Sequence, residues 1–301
     1  MGKSIKKLLI LATSLLILGS ITFVGVMIMN KWDFKKLSTY KYQEKSYEIS
    51  QDFSSILVKD NTANIVFAKS TDDKCRVDCF EKEISNHTAE VIDDTLTIQA
   101  EKLKWYQHIG IDFNQEIITV YLPKDVYDAF IVNSTTSDVK ILDDFTFTNV
   151  NIDITTGDVC ISNVDVNGNL DIHITTGDII VTNLDVTGNF NINTTTGDVN
   201  VSNATCKNFT FIGSTGDVCL NNFIVEEKLN LKNTTGDVTF NKCDAGEIYV
   251  KTTTGDVNGS LLTEKVFVVS STTGSKNVPN TTTGGKCEIV VTTGDINITI
   301  D

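Results

Sequence analysis

Along the second half of the chain, apolar residues come in short bursts of strict alternation. Between residues 158 and 177 they are Val159, Ile161, Val164, Val166, Leu170, Ile172 and Ile174. A period of two predicts β-strands with one face buried. Asn163 and Asn167-Gly168-Asn169 separate the bursts, and the last burst runs into Thr175-Thr176-Gly177-Asp178. Each unit therefore predicts three short strands and three corners. The next unit repeats the arrangement with Ile179, Val181, Leu184, Val186, Phe190 and Ile192, and a later one with Val218, Leu220, Phe223, Val225, Leu229 and Leu231.

The unit recurs at a fixed period. Its marker aspartate stands at Asp138, Asp158, Asp178, Asp198, Asp217, Asp237, Asp256 and Asp295, with Ser275 in its place once, in steps of 19 or 20 residues. Self-similarity of this kind signals a repeat architecture, because each unit has an apolar face that only its neighbours can cover. Parallel strands stacked about 4.8 Å apart would pair their backbone groups from coil to coil. The expected fold is all-β, a parallel β-solenoid of 19–20-residue coils.

The repeated tetrapeptide reads as a corner. Gly157, Gly177, Gly197, Gly216, Gly236, Gly255 and Gly294 precede Asp158, Asp178, Asp198, Asp217, Asp237, Asp256 and Asp295. Glycine supplies a positive φ, and each carboxylate is expected to be held by the amides and threonines of its own corner. Asn163, Asn183, Asn203 and Asn222 each follow their aspartate by five residues and suit a second, left-handed corner. Carboxylates at rung spacing also suggest a calcium column, but the period does not fit calcium-binding rolls, and no metal or other cofactor is expected.

Residues 45 to 130 alternate less cleanly, through Ile65 and Phe67, then Cys75, Val77 and Cys79, then Leu96 and Ile98. They read as an irregular start and cap, since an open solenoid end would expose strand edges. Lys104-Trp105-Tyr106 breaks the alternation. Trp105 and Tyr106 either plug the end or form a glycan contact by stacking on sugar rings.

Ahead of the strands lies LLILATSLLILGSITFVGVMIM, residues 8 to 29, free of charge and flanked by lysines on both sides. At about 1.5 Å per residue it crosses a hydrocarbon core of roughly 30 Å. A signal peptide ending near Leu18-Gly19-Ser20 is the rival reading. Length and the following Lys31, Trp32, Lys35 and Lys36 favour an uncleaved anchor, with the amino terminus inside and the rest outside. The expected organisation is residues 1–36 for tail, anchor and flanks, 37–130 for the irregular part and cap, and 131–301 for regular repeats.

The repeated TTGDV, the segment YEISQDFSSILVKDNTANIVFA, the central ITVYLPKD and the closing VPNTTTGGKCEIVVTTGDINITI resemble the bacterial putative-adhesin family across roughly residues 45 to 301. The resemblance implies a β-solenoid at the cell envelope and supplies no catalytic residues. Ser275-Lys276 departs from its Gly-Asp pattern.

Charge narrows the function. The chain carries −14 overall; six of its 25 basic and one of its 39 acidic residues fall in the first 36, which leaves −19 for the remainder. Such a surface argues against nucleic acid. Of seven cysteines, Cys75, Cys79, Cys206, Cys243 and Cys287 have inward parity, whereas Cys160 and Cys219 share an outward column. Three coils, about 14 Å, separate that pair, too far for a disulfide. His87, His108 and His173 are scattered, and coils this short leave no loops to build a catalytic cleft. The expected protein is a non-catalytic, monomeric, surface-anchored rod that binds a glycan or another protein's strand edge. An envelope-stress sensor is the main alternative, and a polysaccharide-active enzyme a distant one.

Overall fold

The structure is a computed structural model describing residues 2–101 and 110–301. Trp105, Tyr106 and His108 lie outside the described residues. An α-helix spans Lys3–Met29, and among the described residues it is the one helix long and apolar enough to cross a membrane. It ends at Asn30, after which Lys31 and Trp32 take positive φ and a 3₁₀ turn at Phe34–Leu37 leads to the first strand.

The rest of the chain is a parallel β-solenoid. Inward residues of successive coils are Cα partners, as in Val150, Leu170, Phe190, Phe209, Leu229 and Ile248, and all six are buried. Their side chains form one core with no break along the axis. Phe190, Phe209 and Phe223 meet in it at centroid distances of 5.2 and 5.0 Å. Fully burying one such ring is worth about 1.5–3 kcal/mol, so the column as a whole holds the coils together.

The strands are longer than the alternation predicts. Ile179–Thr196 is a single strand of 18 residues, and Val238–Thr254 one of 17. Inter-coil pairing persists through the bends, which are made by single residues: Asn163, Asn183, Asn203 and Asn222 adopt φ between 47° and 57°, and Lys242 does the same one coil later at 53°. At the third bend the register slips between Val186 and Asn189, between Cys206 and Asn208 and again between Val225 and Lys228. That bend absorbs the residue by which a coil of 19 differs from one of 20, so inward positions stay aligned.

The coils do not stack in chain order. At the N-terminal end Ile56 pairs with both Leu96 and Phe130, and Ile65 with both Ile118 and Val139. The coil that comes first in the chain, residues 55–69, is thus sandwiched between strands Thr95–Ala100 and Ile117–Leu122 on one side and residues 126–141 on the other. The other end mirrors it: Cys287 pairs with both Ile248 and Phe267. Strand Gly285–Thr293, from the last coil of the chain, lies between Val238–Thr254 and Lys265–Thr273, so the coil bearing Ser275 is outermost. Repeats of similar pattern fit any neighbour, and period alone does not order them.

Beyond the N-terminal rungs the pairing turns antiparallel. Cys75–Lys82 adds to Ile117–Leu122, Tyr42–Ile49 adds to Cys75–Lys82, and His87–Ile92 adds to Thr95–Ala100. Cys75, Cys79, Cys206, Cys243 and Cys287 are buried, while Cys160 and Cys219 lie in one column with Ile180 and Asn200 between them.

The close approach of coils at the glycine corner can be tested. A Cβ on Gly197, at φ 143°, would sit 1.9 Å from the Gly177 carbonyl oxygen. Gly197→Val is expected to destabilise by about 1–3 kcal/mol or more in urea unfolding, from strain and clash together. Ser275→Val, on the outermost coil at an exposed residue, is expected to shift the midpoint far less.

Candidate functional site

The corner column defines one edge of the site. Gly157, Gly177, Gly197, Gly216, Gly236, Gly255 and Gly294 all have φ between 132° and 148°. The amides of Gly157 and Val159 donate to the carbonyls of Thr176 and Asp178 on the coil to one side. The amide between them, that of Asp158, points the opposite way and donates to Asp138 Oδ1 at 3.0 Å. The same bond recurs at 2.8 Å for Asp178 on Asp158, Asp198 on Asp178, Asp217 on Asp198, Asp237 on Asp217 and Asp256 on Asp237. Each carboxylate therefore staples the neighbouring coil and not its own corner, because the glycine turn aims the intervening amide along the axis where no carbonyl meets it.

The ladder follows the spatial order of the coils. Asp295 donates to Asp256 Oδ1 at 2.8 Å, and Ser275 donates to Asp295 Oδ1 at 2.7 Å. Those contacts from Ser275, first its backbone N–H and then its hydroxyl, hold the Asp295 carboxyl below the usual range. On the outermost coil a carboxylate would have no further amide to accept, which accounts for serine at 275. At the opposite end Asp138 N donates to Asn64 Oδ1 at 2.9 Å, and an asparagine starts the column.

Three outward faces run between the bends, and their chemistry differs. The face that follows the aspartates presents Cys160, Ile180, Asn200, Cys219, Thr239, Asn258 and Asn297 in one column. Ser162, Thr182, Ser202, Asn221 and Asn241 form the next. From the coil of Val159 to that of Ile296 this face has no ionic side chain. Its groups bond sideways to one another, as when Ser202 Oγ donates to Asn200 Oδ1 at 3.0 Å and Asn241 Nδ2 to Asn221 Oδ1 at 3.3 Å. An amide ladder borders it, with Asn183 Nδ2 donating to Asn163 Oδ1 at 2.9 Å and Asn222 Nδ2 to Asn203 Oδ1 at 3.0 Å.

The other two faces are charged. One carries Asp165, Asp185 and Asp244, with Glu226 and Glu227 at its bend. The other mixes amides with Asp153, Asp171, Lys232, Lys251 and Glu288; here His173 is flanked by Asp153 and Asn193, without a nucleophile. The uncharged face is thus a strip of hydroxyls and amides, interrupted by Cys160, Ile180 and Cys219, that repeats at rung spacing. It can exchange hydrogen bonds with an extended neutral chain, and the aspartate column runs along one of its edges.

A second cluster lies buried in the cap. His87 Nε2 is 2.9 Å from Asp60 Oδ1 and His87 Nδ1 is 2.8 Å from Glu81 Oε2. Both acceptors are carboxylates, so both ring nitrogens carry protons. Burial opposes the charged imidazole, yet hydrogen bonds and charge from Asp60 and Glu81 together outweigh it and raise its pKa. Asp60 Oδ2 accepts from the amides of Thr62 and Ala63, Glu81 accepts from Gln43 and the His87 amide, and Tyr47 OH donates to the His87 carbonyl. Cys79 completes a grouping with Glu81 and His87 in which three possible ligand atoms lie within 4.8 Å of one another. Burial pushes the Cys79 thiol up to about 12, so it stays protonated, and the histidine and carboxylates are saturated by one another. The cluster reads as a clamp between the cap and the first coil of the chain. No motif around His87 announces it, because Asp60 lies in the turn after Ser55–Lys59 and Glu81 in the separate strand Cys75–Lys82.

Residues 53–299 match the Toastrack DUF4097 family model. The chain belongs to the Toastrack DUF4097 family. Among solved structures, the Toastrack chain is similar to a putative lipid binding protein from Parabacteroides distasonis, 12% identical with a TM-score of 0.53 over 85% of this chain and 97% of that one. It is also similar to a putative adhesin from Bacteroides fragilis, 17% identical with a TM-score of 0.45 over 86% of this chain and 97% of that one. At these identities the likeness is one of fold. No curated protein matches it.

Two measurements check this reading. Asp198→Asn keeps an Oδ1 acceptor for the Asp217 amide and is expected to change stability little, whereas Asp198→Ala is expected to cost about 0.5–1.5 kcal/mol, since only water then meets that exposed amide. With Oδ1 already engaged, added calcium is expected to leave the melting midpoint of the wild-type chain nearly unmoved. For the cap, the His87 pKa is raised on folding, so its stabilisation is full below about 6.5 and is lost as pH rises through the higher folded value. His87→Gln is expected to cost about 3–5 kcal/mol at pH 6 by stranding buried Asp60 and Glu81, and less at alkaline pH.

Proposed function

We propose that this Toastrack chain is a non-catalytic, membrane-anchored surface module that binds an extended neutral polymer along its uncharged face. Residues 8–29 serve as an uncleaved single-pass anchor with the amino terminus inside, residues 37–130 as the cap region, and residues 131–301 as the outward binding solenoid. The observation that carries the reading is the pair of columns rich in Ser, Thr and Asn, with Cys160, Ile180 and Cys219 among them, free of ionic side chains in a chain of net charge −14. A neutral glycan strand can meet donors and acceptors every 4.8 Å or so along such a strip, and many weak contacts add along the axis. Nucleic acid is disfavoured by the acidic surface. The corner glycines and aspartates act as framework in this reading, and Trp105 and Tyr106 stand as sugar-stacking candidates on sequence grounds.

The test is a screen of the purified protein in detergent against neutral and acidic polysaccharides and cell-wall fractions, with product analysis of the same samples. Binding without turnover is expected, preferring neutral polymers. Thr182→Lys with Asn221→Lys, which places charge on the strip at surface positions, is expected to weaken it at least about tenfold, or 1.4 kcal/mol. Released sugars would overturn the non-catalytic assignment, and binding that ignores the lysines would move it to another face. Altered envelope-stress signalling on deletion, with no polymer bound, would favour the sensor.

A further inference from the structure

The two ends of the solenoid treat their strand edges differently. At the N-terminal end Ile117–Leu122 is covered by Cys75–Lys82 and Thr95–Ala100 by His87–Ile92. At the other end Lys265–Thr273 pairs with Gly285–Thr293 on one side, and among the described residues no strand pairs with its other side. A parallel strand with one neighbour leaves a row of backbone N–H and C=O groups free.

Nothing in this strand guards the edge. Natural edge strands carry lysine, proline or a bulge that blocks further pairing. Here Val266 through Gly274 hold no charge and no proline, and the pairing with Gly285–Thr293 runs without a register shift. Lys265 is withdrawn, 3% exposed, with its Nζ 2.6 Å from Asp244 Oδ1. Val266 and Val268 are 37% and 49% exposed, and Phe267 and Val269, like Val278, are half-buried against the core.

The exchange of the last two coils creates this edge. Stacked in chain order, the solenoid would end on residues 285–300, which carry Lys286, Glu288 and Asp295. With that coil tucked inside, the end is instead the coil whose aspartate is replaced by Ser275.

We propose that the Val266–Thr273 edge pairs antiparallel with the same edge of a second copy, joining two solenoids tip to tip about a two-fold axis. Charge selects this occupant. The chain beyond residue 36 carries −19, so two copies repel along their flanks and approach with least repulsion at the neutral tip. A two-fold antiparallel pair is self-complementary, and a strand without charges sets no like charges opposite one another in any register. The apolar helix enters at the capped end, so tip-paired copies hold their helices far apart, as on two facing membranes. This goes beyond the monomeric rod expected from the sequence, and it stands independently of what the uncharged face binds.

Sedimentation velocity of the full-length chain in detergent, from about 1 to 100 μM, tests the proposal. A dimer that tightens as salt rises is expected, since salt screens repulsion between the acidic flanks. Val266→Glu with Val268→Glu is expected to weaken it at least about tenfold. Ile180→Glu, at a position 48% exposed on the uncharged face, is expected to leave it unchanged. All three positions are exposed, and circular dichroism confirms that each variant folds. A wild-type chain that stays monomeric throughout overturns the proposal, as does a dimer that survives the double substitution, which would place the contact in the helix or on a flank.

Discussion

The structure depends on a hydrogen bond that crosses from one coil to the next, from the amide of one corner aspartate to the carboxylate of its neighbour. A solenoid must turn its chain three times per coil without leaving amides unpaired, and the glycine turn aims one amide where no carbonyl lies. The carboxylate fills that gap. Stacking like charges at rung spacing costs about 0.9 kcal/mol per pair in water before salt screening, against about 1.5–3 kcal/mol for a charge-assisted hydrogen bond. The bond wins because the aspartates remain exposed to solvent, which keeps the repulsion small.

The same bond explains the irregularity at the far end. Serine at 275 looks like a lapse when the repeats are read in order, yet its coil is the last along the axis and has no amide beyond it to receive. At the near end Asn64 occupies the first rung of the column and the cap takes over. There the chain changes from repetition to a buried clamp, in which one imidazolium between Asp60 and Glu81 fastens strands far apart in sequence. Both terminal coils are inserted between two others, so neither can peel away without first displacing its outer neighbour.

With the corners fixed in this way, side chains on the outward faces are free to vary, since they touch solvent and one another but not the core. One face is acidic, one mixed and one uncharged, and the proposed ligand of repeating neutral units is assigned to the last. The bend that borders that face is made by a single residue such as Asn183 or Lys242, and among the described residues no loop rises over it to form a cleft. Such a surface suits binding spread along the axis better than chemistry at a point.

What the sequence determined by itself was the repeating pattern of inward positions and bends, and the apolar helix ahead of it. Alternation at Val159, Ile161 and Val164 set the inward face, Gly-Asp and Asn163 set the bends, and the run from residue 8 to 29 set the apolar helix. These are local properties, legible wherever a residue's partners lie a fixed number of positions away. The spatial order of the coils was decided only in the tertiary structure, because Ile248, Phe267 and Cys287 hold the same inward position of their coils and the alternation does not say which pairs with which. So too were the acceptor of each corner amide, on the adjoining coil, and the meeting of His87 with Asp60 and Glu81 across three segments. Periodicity states what each coil looks like; which coil it lies against is set by strand pairing and charge burial between residues that no period connects.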